Sequence, residues 1–127
     1  MIEAVMKIDE MEIQGDQNLK ILLVEDDPGD AAVLQESIEF AHSKGQFPKF
    51  TIVRCESIHA TLEYLSMESP SLIVIDLTLP DCHGFESFQS VRHLVPNIPI
   101  VVMTSDECEQ LAMRAVRSGA QDYVVKG

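Results

Sequence analysis

Five short, nearly unbroken apolar runs constrain this chain most: Ile21–Val24, Phe50–Val53, Leu72–Ile75, Ile98–Met103 and Tyr123–Val125. A strand with one face in water alternates apolar and polar residues, whereas a strand covered on both faces loses that alternation. Amphipathic stretches separate the runs, and they are long enough for the crossover helices that parallel connections need. The pattern therefore predicts an α/β fold: a doubly wound, five-stranded parallel sheet with helices on both faces.

The helical signals between the runs are specific. Asp27 is placed to cap a first helix with Pro28 at its first position, and Ala31, Leu34, Ile38 and Ala41 follow at spacings of three and four. That helix is expected to stop before Gly45. Ser57 is placed to cap a second helix carrying Ile58, Leu62 and Leu65 and ended by Pro70. A third runs from Phe85 through Phe88, Val91 and Val95 until Pro96 and Pro99 forbid its continuation. Asp106 with Glu109 three residues on resembles a capping arrangement for a fourth, closed by Gly119. The sum is (βα)4β over Lys20 to Gly127, with a flavodoxin-like strand order 2-1-3-4-5 that makes the first and third strands neighbours.

Composition sets the outer limits. The chain has 127 residues, enough for one core but not two, since domains commonly run to roughly 100–150 residues. Residues 1–18 are polar and acidic, end in the hinge-like Gly15-Asp16-Gln17-Asn18, and are expected as an N-terminal extension outside the core, leaving 19–127 as the domain. Nine Lys and Arg against 21 Asp and Glu give a formal charge of −12. The basic residues are scattered singly, whereas phosphate-backbone binding needs clustered positive charge, so direct nucleic-acid binding is not expected. No apolar run approaches the roughly 20 residues of a membrane span, and Glu3, Lys7 and Asp9 interrupt the N-terminus where a signal peptide is apolar. A cytoplasmic location with no membrane partner is the expectation. Cys55, Cys82 and Cys108 lack pair spacing, and His42, His59, His83 and His93 lack the spacing that brings two onto one helical face. Neither a disulfide framework nor a zinc site follows from them, and Asp81-Cys82-His83 reads as a surface turn.

In such a sheet the groups available for chemistry stand at the carboxyl ends of the strands. Those ends deliver Glu25-Asp26-Asp27 after the first strand, Asp76 after the third, Thr104-Ser105 after the fourth and Lys126 after the fifth. Two ionised carboxylates about 4 Å apart repel by roughly 4 kcal/mol at an effective dielectric near 20, so a proton or a divalent cation must offset the charge. Carboxylate and carbonyl oxygens with water suit Mg²⁺. A carboxylate beside such an ion, facing a hydroxyl and an ammonium, is equipped to attack phosphorus and become an acyl phosphate.

Four motifs together, Ile21-Leu-Leu-Val-Glu-Asp-Asp-Pro28, Leu72-Ile-Val-Ile-Asp-Leu-Thr-Leu-Pro80 followed by Gly84, Met103-Thr104-Ser105 and Gly119-Ala-Gln-Asp-Tyr-Val-Val-Lys126, make the chain resemble the receiver domain of two-component response regulators. The resemblance covers everything except the extension. It implies that Asp76 is the phosphoacceptor, that Asp26 binds Mg²⁺ directly with Glu25 acting mainly through water, and that the carbonyl of Thr78 completes the protein ligands. It further implies that Thr104 and Lys126 bind phosphoryl oxygens, that Tyr123 is the switch aromatic that turns inward when Thr104 moves, and that Thr78 and Asp106 modulate dephosphorylation. The implied partner is a histidine kinase or phosphotransfer protein, with a homodimer or downstream effector at the switching surface. The implied activity is that of a signalling switch, not an enzyme acting on other molecules: it catalyses only its own aspartyl phosphorylation and dephosphorylation.

Two departures stand against the family pattern. Gly127 follows the site lysine where similar domains often carry Pro, and the sequence stops where similar domains continue into a fifth helix. An exposed apolar patch is the expected result, covered by the extension, by a second subunit or by further chain. Among other readings, a flavodoxin-type cofactor module would need a phosphate-cradling loop where three acids stand. An aspartyl phosphatase would want a second acid at position 78. A receiver-like interaction module that acts without phosphorylation is the alternative from another class.

Overall fold

The computed structural model describes residues 7–8, 18–45, 49–79 and 84–126. Five strands, β1 (Asn18–Val24), β2 (Lys49–Cys55), β3 (Leu72–Asp76), β4 (Ile100–Thr104) and β5 (Asp122–Val125), form one sheet in the order β2-β1-β3-β4-β5. Every pairing is parallel. Between the strands lie α1 (Pro28–Ser43), α2 (Ile58–Leu65), α3 (Phe85–Leu94) and α4 (Glu109–Arg117), the last preceded by a 3-10 turn over Asp106–Cys108. The fold class and strand order are those expected from the apolar runs.

The unbroken apolar runs have a direct structural cause. In β3 every residue is buried, but Ile73 and Ile75 belong to one core and Leu72 and Val74 to the other. The first core joins the sheet to Phe88 and Val91 of α3 and to Ala112 and Ala115 of α4, the second to Leu34 and Ile38 of α1. Successive side chains of a strand point to opposite faces, so two covered faces require an apolar residue at every position. Among the described residues no helix is long and apolar enough to cross a membrane.

Local capping agrees with the sequence at two helices and departs at another. Asp27 Oδ1 accepts from Gly29 N–H at 2.8 Å, and Ser57 Oγ accepts from Ala60 N–H at 3.1 Å. At α4, however, the N-cap position falls on Cys108, which makes no side-chain cap bond. The carboxylate of Glu109 is instead taken by the Tyr123 hydroxyl, which donates to Oε2 at 2.6 Å. The second helix ends at Leu65, well before Pro70, and β4 starts at Ile100 because Pro99 has no N–H to give a ladder. Pro99 still accepts from Ile73 N–H through its carbonyl, at 3.0 Å. A further departure concerns the N-terminal segment: Ile8, expected outside the core, is 1% exposed within the α1-side core. Lys7 beside it donates to Asp122 Oδ1 at 3.2 Å and to the Tyr123 carbonyl.

Arg92 ties α3 to two loops at once. Its guanidinium donates to the carbonyls of Val95 at 2.6 Å and Gly119 at 3.0 Å, and to that of Ile98. Gly119 sits at φ +116°, and a Cβ there would stand 3.3 Å from Arg92 Cδ, so both conformation and clearance ask for glycine. Arg92→Ala strips three carbonyls of a charged donor and is expected to destabilise the protein by about 2 kcal/mol. Denaturant titration at pH 7 checks this; a change within about 0.5 kcal/mol, the usual range for surface substitutions, would sink it.

Candidate functional site

The parallel order places the carboxyl ends of β1, β3, β4 and β5 side by side, with β1 against β3 where the winding direction reverses. Glu25, the residue after β1, is fully buried and Asp26 is exposed. The backbone here is fixed from β2. Glu25 N–H donates to the Cys55 carbonyl at 3.0 Å, and Arg54 donates through Nε to the Glu25 carbonyl and through Nη2 to the Asp26 carbonyl, each at 2.9 Å. Asp27 N–H adds a weaker bond to Glu25 Oε2 at 3.3 Å.

Asp76 ends β3 with its carboxylate 2% exposed. Oδ1 accepts from the Thr78 N–H at 3.0 Å and from the Thr78 hydroxyl at 2.9 Å, while Oδ2 accepts from Lys126 Nζ at 2.8 Å. Lys126 follows β5, and its backbone N–H donates to the Thr104 carbonyl at 2.8 Å, which locks the ends of β4 and β5 together. Its ammonium also lies 2.7 Å from Glu25 Oε1 and 2.9 Å from Asp30 Oδ2. Thr104 is fully buried at the end of β4, and its hydroxyl donates to the Ser105 carbonyl at 3.2 Å. Tyr123 is half-buried on β5, its hydroxyl on Glu109 and its ring 5.0 Å from Lys7 Nζ.

Burial pushes the Glu25 carboxyl up to about 7; Asp76 beside it adds to the rise and Lys126 opposes it. Burial also disfavours the charged form of Asp76. Hydrogen bonds from Glu25, from Lys126 and from the Thr78 N–H outweigh it and hold that carboxyl below its ordinary value. Lys126 is the converse case: burial disfavours the ammonium, but Asp76, Glu25 and Asp30 raise its pKa above the ordinary lysine value. Environments that push two neighbouring carboxyls apart assign them different states. Asp76 is the ionised member of the pair at neutral pH, and Glu25 is the member that takes up a proton near pH 7.

Glu25, Asp26 and Asp76 each offer an oxygen, and these lie within 4.8 Å of one another. Glu25 Oε1 is a buried oxygen with no hydrogen-bond donor directed at it, although Lys126 is close enough to compensate its charge. A hard divalent cation such as Mg²⁺ fits that description: carboxylate oxygens, one of them without a donor, at an opening where Asp26 reaches solvent. Of the expected site residues, Glu25, Asp76 and Lys126 are thus in mutual contact, with Asp26 in reach and Thr78 bonded to Asp76. Thr104 stands on the neighbouring strand end with its hydroxyl turned to its own chain. Asp81-Cys82-His83 lies outside the described residues.

Two residues escaped the sequence reading. Reading β2 as Phe50–Val53 stops one residue short of Arg54, whose role depends on contacts 28 and 29 positions away. Asp30 passes for a first-turn acid that favours the positive end of the helix dipole, and its contact with Lys126 spans 96 positions.

With this geometry established, residues 21–127 match the family described as response regulator receiver domain. The two-component response regulator ORR1 of Oryza sativa subsp. japonica is 27% identical over 115 residues, covering 84% of this chain and 48% of that protein. The response regulator protein FleR of Pseudomonas aeruginosa is 31% identical over 107 residues, covering 84% of this chain and 21% of that protein. The chain therefore spans less than half the length of these curated relatives. Among solved structures, the phosphorylated cyanobacterial phytochrome response regulator RcpA superposes with a TM-score of 0.71 at 27% identity, covering 87% of this chain and 81% of that one.

Proposed function

Given that this chain belongs to the response regulator receiver domain family, we propose that it is a phosphoacceptor switch of two-component signalling, modified on Asp76 by a histidine kinase or phosphotransfer protein. Residues 19–127 form the switching domain in this reading. Asp76 attacks the phosphorus of a phosphohistidine; the new bond joins phosphorus to a carboxylate oxygen, the phosphorus–nitrogen bond breaks, and the imidazole leaves with its electron pair and takes up a proton. Glu25, Asp26, Asp76 and the carbonyl of Thr78 are the residues that would hold Mg²⁺. Bound there, the ion supplies positive charge for the phosphoryl oxygens.

The chain's own residues carry the remaining work. Thr78 N–H fixes one oxygen of Asp76 and leaves the other for attack, beside the Lys126 ammonium. Lys126 and the Thr104 hydroxyl then neutralise charge spread over the equatorial oxygens. Thr104 must leave the Ser105 carbonyl to do so. Tyr123, two positions from the end of β5, would follow by releasing Glu109 and turning inward, which changes the surface of α4 and β5 for a partner.

The observation that carries this reading is the contact of Lys126 Nζ with Asp76 Oδ2 at 2.8 Å, Asp76 being one of three carboxylates able to share a cation. Incubation with Mg²⁺ and acetyl phosphate is expected to add one phosphoryl group by intact mass, labile to hydroxylamine as an acyl phosphate is. An unchanged mass would favour the receiver-like module that binds partners without being phosphorylated.

A further inference from the structure

The ammonium of Lys126 donates to Asp76 and Asp30 and forms an ion pair with Glu25, three carboxylates of unequal kind. Asp76 at 2.8 Å and Glu25 at 2.7 Å belong to the set whose oxygens lie together as a cation site. Asp30 at 2.9 Å does not. It stands at the third residue of α1, 42% exposed, and reaches Lys126 from outside the cation set. From this asymmetry we infer that Asp30 is a positioning residue: it keeps the Lys126 ammonium at the pocket when a divalent cation draws Glu25 and Asp76 away from it. The inference rests on the proposed phosphoacceptor function for its consequence, though not for its geometry.

The physical need is clear. A dication among Glu25, Asp26 and Asp76 competes for the oxygens that hold the ammonium and repels it as well. Lysine is a point charge on a flexible stem with considerable rotamer freedom, and nothing in its own backbone aims it. Without a partner outside the cation set, the head group moves to solvent, and its charge is absent when the equatorial oxygens develop theirs. A half-exposed acid suffices for retention because it does not have to stabilise the fold. The helix dipole explains an acid in the first turn of α1 equally well, but it gives no reason for the acid to touch Lys126.

The test uses the full chain with Asp30→Asn, which keeps shape and removes charge, and Asp30→Glu, which restores charge. One readout is the ¹H–¹⁵N signal of the Lys126 ammonium in the Mg²⁺-loaded protein without phosphodonor, assigned by its loss in Lys126→Arg. The second is the rate of phosphorylation by acetyl phosphate at saturating Mg²⁺. Asp30→Asn is expected to broaden or abolish the ammonium signal and to slow phosphorylation about three- to fivefold, and Asp30→Glu to restore both to within about twofold, as fits a partly exposed ion pair. An ammonium signal as sharp in Asp30→Asn as in the parent overturns the inference. So does a loss of rate matched by an equal loss of Mg²⁺ affinity, which would make Asp30 act through the metal. If the parent takes no phosphoryl group, the proposed function fails, and the ammonium signal still decides the role of Asp30.

Discussion

Asp76→Asn is expected to abolish phosphoryl incorporation from acetyl phosphate, with a fall of at least about 100-fold, the scale on which losing a nucleophile acts. An amide oxygen at this place keeps the Thr78 N–H contact and loses the charge that makes it attack. The substitution is nearly isosteric, and it removes a carboxylate buried to 2% exposure beside another that is fully buried. Lys126 and the Thr78 N–H favour the charge that the amide lacks, so the metal-free variant is expected to stay folded with at most a modest loss of stability. Loss of incorporation in a variant that is still folded identifies the acceptor. Incorporation that survives in Asp76→Asn, located by peptide mapping to another residue, would move the acceptor elsewhere.

The second large effect is in pH. Glu25 is held at about 7 in the fold against an ordinary value of 4.5, so between those values the folded chain binds a proton that the unfolded chain has released. Stability therefore falls as pH rises through this window; the contribution is whole below about 4.5 and gone above about 7. Asp76 works in the opposite sense, but its lowered pKa puts its window below the ordinary carboxylate value, so it adds nothing to the slope above pH 5. In buffer with a chelator, denaturant titrations should show a loss on the order of 2 kcal/mol from pH 5 to pH 8. The decisive comparison is Glu25→Gln, whose profile should be flatter by that amount. Equal slopes for parent and Glu25→Gln would contradict the raised pKa. Mg²⁺ should stabilise the parent more at pH 8 than at pH 5, because binding must displace the proton.

The expected extension shows how far local reading reaches. Residues 1–18 carry no clear period, and a segment without one gives no reason to assign it to a core. Ile8 is nevertheless buried among Ile21, Leu34, Val101 and Val124, and Lys7 reaches β5. Its burial is decided by which surface of the sheet α1 leaves uncovered, which no stretch of residues around position 8 encodes. The opposite holds for Asp27 and Ser57. Their partners are two and three residues away, and a contact inside one turn is legible wherever the turn is.

The sequence by itself determined the order of the elements, the burial of the sheet on both faces and the chemical type of residue at each strand end. Periodicity and capping are short-range, so they reach the elements and their type, and the strand order comes from likeness to the flavodoxin-like fold. Only the tertiary structure decided that the Glu25 carboxyl is pushed up while that of Asp76 is held down, that Arg54 anchors the acidic turn, and that Asp30 shares the lysine. Each of these depends on distances between residues far apart in the chain and on the water excluded around them, and electrostatic energy is a function of those two quantities alone.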